Sequence, residues 1–351
     1  MQIAVAGSSP RVAQRHAVET LHTAPDLVRI AADWGRLAND CGAVSDFDYA
    51  CAWAEGLDSA QQLHLVITST AGGYLPRGFA IAPLVAHRGS AGRLTLLAAE
   101  MHETFDFLWS DAAALSSLAS AIVRTGRPLF LKRISREPVP AAIAAAYRGR
   151  GVVYISPCGG SPWIALDETW SEPEGHLEPG RRSDLRRARR HAEKIGKVEA
   201  EVLVPAAGQL PQLLDEAFQV EAAGWKGATG TALAADPVRG AFFRRYAERT
   251  CATGALRICR LYIGGRAAAM QIAVERSGRF ELLRAGYDEQ FSDCSPGSLL
   301  TCETIRYAAR RGLRSYEFNG DVEPWTRMWT SHEHSCCSVR AYPFTPRGAA
   351  V

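Results

Sequence analysis

The sequence predicts an α+β chain of two domains. Three observations carry this reading. At 351 residues the chain exceeds one ordinary core of roughly 100–200 residues. Short runs rich in β-branched residues come in threes with glycine turns between them, as in antiparallel meanders. The order helices, meander, loop, helix, strand then occurs twice. Hydrophobic residues at 47% and charged ones at 22% give a globular composition, which excludes a disordered, collagen-like or coiled-coil chain.

Residues 1–26 are polar, carry Pro10 and Pro25 and show no sustained period, so they read as a loosely held arm. Helical stretches follow at 28–38 and 47–57, then strands at 63–68, 79–85 and 94–98, punctuated by Gly72-Gly73 and Gly89 to Gly92. Asp111 opens an Ala/Leu-rich helix to about Thr125, and a strand (129–134), a helix (138–147) and a strand (152–155) complete the first half. In the second half Ser183 caps a basic helix to about Ile195, 198–204 is a strand and 210–223 a helix. The pair Asp236-Pro237 starts another helix to about Thr250. Strands at 256–263, 267–274 and 280–285 form the second meander, with Gly264-Gly265 and Ser277-Gly278 as hairpin turns. A loop, a helix over 296–311 ended by Gly312, and a strand at 315–318 close the pattern, and the domain boundary falls near Ser161 to Trp170.

The formal net charge of +3 is too small to make nucleic acid or an anionic membrane the defining partner. Of 40 basic residues only Lys132, Lys194, Lys197 and Lys226 are lysines; with so much alanine this suggests GC-rich, bacterial coding. Nine scattered cysteines without a C-x-x-C pair indicate reduced thiols rather than a disulfide framework or a zinc ribbon. The absence of a signal-peptide h-region and of an apolar stretch near the ~20 residues that span a bilayer points to a cytoplasmic protein.

Two local features bear on chemistry. The strand ending at Ala285 feeds a loop and then Ser295-Pro296-Gly297-Ser298 at a helix start, where unpaired N–H groups and the helix dipole suit a phosphate. A plain helix start accounts for the same residues. Arg181, Arg182, Arg186, Arg187, Arg189 and Arg190 cluster on one helix, as a solvated face or as a contact for tRNA, the phosphates of CoA or an anionic acceptor. His332, His334, Cys336 and Cys337 match no zinc spacing, and alternation in a final strand accounts for them, so no metal is assigned.

Several blocks carry a resemblance. They are Glu221-Ala222-Ala223-Gly224-Trp225-Lys226-Gly227, Gly230-Thr231-Ala232-Leu233, Gly286-Tyr287-Asp288-Glu289, Ser295-Pro296-Gly297, and Glu323-Pro324-Trp325 with Trp329. They resemble the signature of a GNAT-superfamily acyltransferase group named for cellulose biosynthesis (CelD/BcsL-like), related to Fem-type aminoacyl transferases. The likeness covers Trp163 to Tyr342 well. The first half is matched more weakly, through Trp34, Ile81-Ala82-Pro83-Leu84 and Phe105-Asp106-Phe107-Leu108.

The resemblance implies two tandem GNAT-like domains, each a mostly antiparallel mixed sheet flanked by helices, at 27–162 and 163–351. Acyl-CoA would bind between strands that splay after the second meander. Leu283, Ala285 and Gly286 would face pantetheine, and Ser295, Gly297, Ser298 and Leu299 the pyrophosphate. No glycine lies between Glu100 and Thr125, so the turn at 101–110 lacks such a cradle and one donor site per chain is expected. The sequence departs from the group in lacking the Gln/Arg-x-x-Gly-x-Gly/Ala loop, and in having Thr326 where relatives carry a lysine.

Transfer to an amine or hydroxyl needs a base. Glu221 is the first candidate, its pKa raised by desolvation beside Trp225, with an exposed helical glutamate as the plain alternative. Asp321 and Glu323, after the last strand of the pattern, are the second candidates, though Asn319-Gly320-Asp321 is also a turn signal. Trp225, Lys226, Tyr287 and Trp325 are the expected acceptor contacts. The expected reaction is direct attack on acyl-CoA by a small-molecule or saccharide acceptor. The alternatives are an aminoacyl-tRNA-dependent Fem-type transfer, or a non-catalytic acyl-CoA-binding subunit of an exopolysaccharide complex.

Overall fold

The computed structural model describes residues 16–40, 46–70, 79–89, 91–97, 105–135 and 137–350, apart from the side chains at 16, 39, 40, 70, 225 and 228. The turn read at Gly72-Gly73, residues 101–104 of the turn at 101–110, and most of the N-terminal arm lie outside these residues. The first half runs β1 (His16–Leu21), α1 (Ala24–Arg29), α2 (Ala31–Asp40), α3 (Phe47–Ala54), β2 (Gln61–Thr70), β3 (Ala80–His87) and β4 (Leu94–Leu96). It continues with the two-residue β5 (Leu108–Trp109), α4 (Ala112–Arg124), β6 (Leu129–Ser135), α5 (Val139–Tyr147) and β7 (Gly151–Ala165). After two 3₁₀ turns come α6 (Pro179–Ile195), β8 (Val198–Leu203), α7 (Leu210–Ala222), α8 (Trp225–Ala228) and α9 (Pro237–Ala252). The second meander is β9 (Leu256–Ile263), β10 (Arg266–Arg276) and β11 (Arg279–Tyr287). A 3₁₀ turn (Glu289–Cys294), α10 (Pro296–Arg310), β12 (Ser315–Glu317), α11 (Pro324–Arg327), β13 (Glu333–Pro343) and α12 (Pro346–Ala349) end the chain.

Three elements differ from the sequence expectation. Residues 16–21, assigned to a loose arm, pair antiparallel with β2 from His16↔Thr70 to Leu21↔Leu65. Ala17 to Glu19 are exposed, so no hydrophobic period marks this edge strand. Helix α6 begins at Pro179 rather than after Ser183, with proline in the first turn where its missing N–H costs nothing. Strand β7 runs straight through Pro157-Cys158-Gly159-Gly160-Ser161-Pro162, a turn-like composition, because β13 and then β12 pair with it. Tertiary pairing here overrides local propensity. The hairpins after β9 and β10 follow expectation: Gly264-Gly265 and Ser277-Gly278 all have positive φ, as a type I′ turn demands.

The strands form one sheet in the order β1-β2-β3-β4-β6-β13-β7-β12-β11-β10-β9-β8, with β5 pairing β3 off this path. The order reads alike from both ends: an edge strand, a meander, then a strand joined in parallel through a helical crossover. Both crossovers, β4 to β6 over α4 and β11 to β12 over α10, give parallel pairs inside an otherwise antiparallel sheet. At the centre the halves exchange their last strands. The second half's β13 lies against β6, and the first half's β7 lies against β12.

Three apolar clusters fill the layers instead of two cores. One lies under α4 and α5, another under α6 and α10. The third takes α1–α3 from the first half and α7 and α9 from the second. There Tyr49 and Trp53 meet the Phe242 ring edge-on, at 4.8 and 5.1 Å. This shared cluster and the exchanged strands bind the halves together. Among the described residues no helix is long and apolar enough to cross a membrane.

Candidate functional site

Strand β11 keeps step with β12 at only three positions, Arg279↔Ser315, Phe280↔Tyr316 and Glu281↔Glu317. It then continues for six residues to Tyr287 with no strand paired on the β12 side among the described residues, Asn319 Nδ2–H alone donating to the Leu282 carbonyl at 3.1 Å, so a cleft opens beyond the Glu281–Glu317 pair. On its other edge the register with β10 slips between Ile272 and Ala273, leaving Leu283 as the extra residue of a bulge at the cleft wall. Beyond β11 the chain turns into α10. Its cap, Ser295, sits in the left-handed region at φ +43° and makes no side-chain capping bond. The Ser295 carbonyl accepts from the N–H of Ser298 and of Leu299, at 3.0 and 3.1 Å. Pro296 has no N–H, so Gly297 carries the one open donor of this turn among the described residues. The predicted cradle is therefore narrower than its sequence suggests. Leu299 turns its side chain away, into a cavity of about 150 Å³ between α6, α10, β8 and β9.

The end of α7 lies directly on the end of β11. A Cβ on Gly286 would come within 2.8 Å of the Glu221 Cα, and one on Gly224 within 2.5 Å of the Tyr287 carbonyl oxygen. Both glycines are set by this crossing. Glu221 is fully buried there. Its Oε1 pairs with Lys226 Nζ at 3.1 Å and Arg284 Nη2 at 3.3 Å, and its Oε2 accepts the Leu233 N–H at 2.8 Å. Lys226 also donates to the Ala285 carbonyl at 2.7 Å, so that carbonyl is already engaged. Burial, and then the neighbouring Arg284 charge, lower the Lys226 pKa against the opposing pull of Glu221. As a base Glu221 would first have to release two cations; the geometry instead makes it the anchor of the Lys226 loop. The Trp225 side chain, expected beside it, lies outside the described residues.

After β12 the chain is tied to the first half. Arg133 of β6 pairs with Asp321 and donates to the carbonyls of Gly320 at 2.6 Å and Gly159 at 3.0 Å. Glu323 caps α11: its N–H donates to Thr326 Oγ1 at 3.0 Å, and Thr326, the residue by which the chain departs from the resembled group, is buried as the return partner. Trp325 stands exposed and edge-on to Phe318, whereas Trp329 is core. One more arrangement meets the cleft at Glu317. The His334 ring of β13 crosses β7, stacked on Trp163 at 4.9 Å, and its Nε2–H donates to Glu317 Oε2 at 2.9 Å. Beside Glu317, Glu281 is buried and its pKa is pushed up to about 7 by desolvation, against the pull of Arg276 and Arg279.

Residues 179–327 match the family described as an acetyltransferase (GNAT) domain. No curated protein matches the sequence. Among solved structures, a tandem GNAT protein from the clavulanic acid biosynthesis pathway aligns with 95% of this chain and 99% of its own, at TM-score 0.52 and 14% identity. The structure of FemX aligns with 84% of this chain and 91% of its own, at TM-score 0.52 and 10% identity. The C-terminal domain of a protein named as a lysylphosphatidylglycerol synthetase from Agrobacterium fabrum covers 93% of this chain and 94% of its own, at 0.53 and 12%. These likenesses establish a tandem GNAT-like fold. They carry the fold and not the cellulose-biosynthesis group.

Within the GNAT domain the structure brings Leu283, Ala285, Gly286, Tyr287, Ser295, Gly297 and Ser298 along one path, from the bulge to the start of α10. Glu221 and Lys226 lie beneath it; Asp321, Glu323 and Trp325 lie beyond the end of β12. On α6, Arg187 and Arg189 pair with Asp184 and Glu303, while Arg186, Arg190 and Lys194 have no carboxylate partner among the described residues. Sequence reasoning missed Glu317 and Glu281 and passed over His334 as strand alternation. The alternation His332-x-His334 was the available signal.

Proposed function

We propose that the second half is an acyl-CoA-dependent acyltransferase that passes its acyl group to an amine or hydroxyl. The observation that carries this reading is the cleft between β11 and β12, leading to an uncapped helix start with an open N–H at Gly297. The GNAT-domain match over the same residues supports it. Pantetheine would run along the backbone of Leu283 to Gly286, with the Ala285 carbonyl left to Lys226. The pyrophosphate would take the N–H of Gly297 and the hydroxyls of Ser295 and Ser298, with Leu299 only packing behind. Tyr287, Lys226, Trp225 and Trp325 would border the acceptor, and Asp321 and Glu323 would meet its polar groups. A saccharide or its precursor is the acceptor we favour, on the cellulose-biosynthesis resemblance, with residues 27–162 and 163–351 as the two repeated units.

Direct transfer joins the acceptor's nucleophile to the thioester carbonyl carbon while the C–S bond breaks towards CoA. Helix and backbone dipoles around the cleft would hold the donor, and the bulge would aim its carbonyl. A second reading, an aminoacyl-tRNA donor, is favoured by one observation. Arg186, Arg190 and Lys194 recur every four residues along the exposed side of α6, about 6 Å apart in rise.

Calorimetric titration with acetyl-CoA and longer acyl-CoAs tests the first reading, beside Gly297→Trp. The wild type should bind at micromolar concentrations and the variant should not, its indole filling the space in front of the helix start. Gly297→Ala, whose Cβ would meet Tyr287 at an ordinary 3.6 Å, should bind normally. Failure of every CoA to bind would move the assignment to the tRNA-dependent reading.

A further inference from the structure

Beside the bulge, β11 carries a guanidinium that the fold leaves short of partners. We infer that Arg284 receives a carboxylate or phosphate of the acceptor, so that the acyl group passes to an anionic molecule; the inference rests on the acyl-donor reading of the cleft. Position comes first. Arg284 follows Leu283, the extra residue of the bulge, on the stretch of β11 that no strand pairs on the β12 side among the described residues. It stands opposite Ile272 of β10, and cross-strand partners point to one face of a sheet. Ile272 packs in the cluster of α7 and α9, and the Arg284 side chain meets Glu221 of α7 and lies over the Phe243 ring of α9 at 5.4 Å. Phe280 and Leu282 pack instead beneath α10. The open helix start and Arg284 are thus on opposite faces of the sheet. A donor whose diphosphate sits at the start of α10 reaches the opening from that face, which leaves the α7 face, with Arg284 and Lys226, to the acceptor.

Charge comes second. A single oxygen of Glu221 serves both Lys226 Nζ and Arg284 Nη2, so these three side chains hold two cations around one carboxylate. The Arg284 side chain is only 17% exposed. An uncompensated charge in such a place is costly, and a bound anion offsets that cost. Burial first, and then the charge of Arg284, hold the Lys226 pKa below its ordinary value, the direction expected where cations outnumber carboxylates. Hydrogen bonding comes third. A guanidinium carries several N–H donors. Beyond the ion pair with Glu221, that of Arg284 has no hydrogen-bond partner among the described residues, and its Nε is buried without one. Arg257 of β9, buried likewise, is by contrast held by Glu275, Tyr307 and the carbonyls of Gly254 and Leu256.

The planar fork of a guanidinium matches the paired oxygens of a carboxylate or phosphate. Bound at Arg284, such a group brings the charge of the cluster to balance. It also fixes the acceptor at one end, beside the bulge, while its nucleophile faces the thioester. A neutral saccharide does neither, so a saccharide acceptor of this protein is an acidic or phosphorylated one.

The test uses the full chain saturated with CoA, so that the helix start is occupied, and titrates orthophosphate and acetate as probes by calorimetry at constant ionic strength. The wild type should bind the probes at millimolar concentrations. Arg284→Gln should weaken that binding by about tenfold or more while CoA binds as before. Arg284→Lys, which keeps the charge beside Glu221 but not the fork, should fall between the two. Succinyl-CoA beside acetyl-CoA shows which substrate brings the anion. Equal binding of the two leaves the anion to the acceptor, as expected; tighter binding of succinyl-CoA, lost in Arg284→Gln, puts it on the donor's acyl group and overturns the inference. Binding of neither probe by the CoA-loaded wild type, or binding unchanged in Arg284→Gln, also overturns it and leaves the donor site standing. Absence of CoA binding in the wild type overturns the donor reading and the inference with it. A thermal melt checks the fold of each variant, and where Arg284→Gln is unstable the wild type and Arg284→Lys still decide.

Discussion

In the first half α4 opens on Asp111, whose side chain accepts the Ala114 N–H at 2.9 Å; in the second, α10 opens on Ser295 with no side-chain cap. A carboxylate thus occupies one helix start at the place where the other is open to an anion. The two parallel pairs differ in the same sense. The last position in register is Thr95–Phe130 in the first half and Glu281–Glu317 in the second. Repetition of the sheet has therefore not repeated the site. The shared strand order fixes where a cleft and a helix start fall, and a few side chains at those points differ between the halves. The first half keeps the scaffold and supplies strands and struts: β7 beside β12, and Arg133 under the loop that holds Asp321.

The largest effect should come from separating the halves. Cutting between residues 162 and 163 leaves β13 without β6 and without the part of β7 up to Pro162 that pairs with it, while β12 keeps only the three-residue stub Trp163, Ile164 and Ala165 on that edge. Each fragment expressed alone should be insoluble or lack a cooperative melt, and the two co-expressed should restore one. A fragment that melts cooperatively by itself would show that strand exchange is dispensable.

A smaller change should carry the first half's feature into the second. Ser295→Asp puts a carboxylate at the start of α10, as Asp111 does for α4, in a backbone conformation that aspartate tolerates. Acetyl-CoA affinity at low salt should fall by about tenfold or more, while helix stability stays level or rises by about 0.5 kcal/mol. Calorimetry beside a thermal melt reads both, and unchanged affinity would break the contrast between the helix starts.

Much of this architecture was legible because its determinants are local. Type I′ turns at Gly264-Gly265 and Ser277-Gly278 mark both hairpins of the second meander, and Asp236-Pro237 marks a helix start, where Asp236 caps α9. The exchange of β7 and β13 was not legible, since nothing within a strand names its neighbour. Within the site, Ser295-Pro296-Gly297 announces a helix start in three adjacent residues. Lys226 and the Ala285 carbonyl it occupies are 59 residues apart, and His334 and Glu317 are 17 apart with β7 lying between their strands. Contacts of that kind exist only once the sheet order is known, which is why Glu221 could be read as a motif residue but not as the anchor of a buried charge cluster.

The smallest effect concerns the acid pair at the apex. Glu281 is buried, and desolvation raises its folded-state pKa from 4.5 to about 7, although Arg276 and Arg279 oppose the shift. The unfolded chain gives up this proton at a lower pH than the folded one. The proton's contribution to stability is therefore complete below about pH 4.5 and is lost as pH rises through about 7. Glu281→Gln keeps the shape and removes the charge. It should unfold with a midpoint that changes less between pH 5 and pH 8, gaining about 2 kcal/mol on the wild type at pH 8 and little at pH 5. Thr95, at the corresponding place in the first half, is uncharged. Urea unfolding of the wild type and Glu281→Gln at both pH values makes the comparison. If Glu281→Gln follows the wild type at both, the acid at the apex is not held in its neutral form by the fold, and the contrast between the halves reduces to their helix starts.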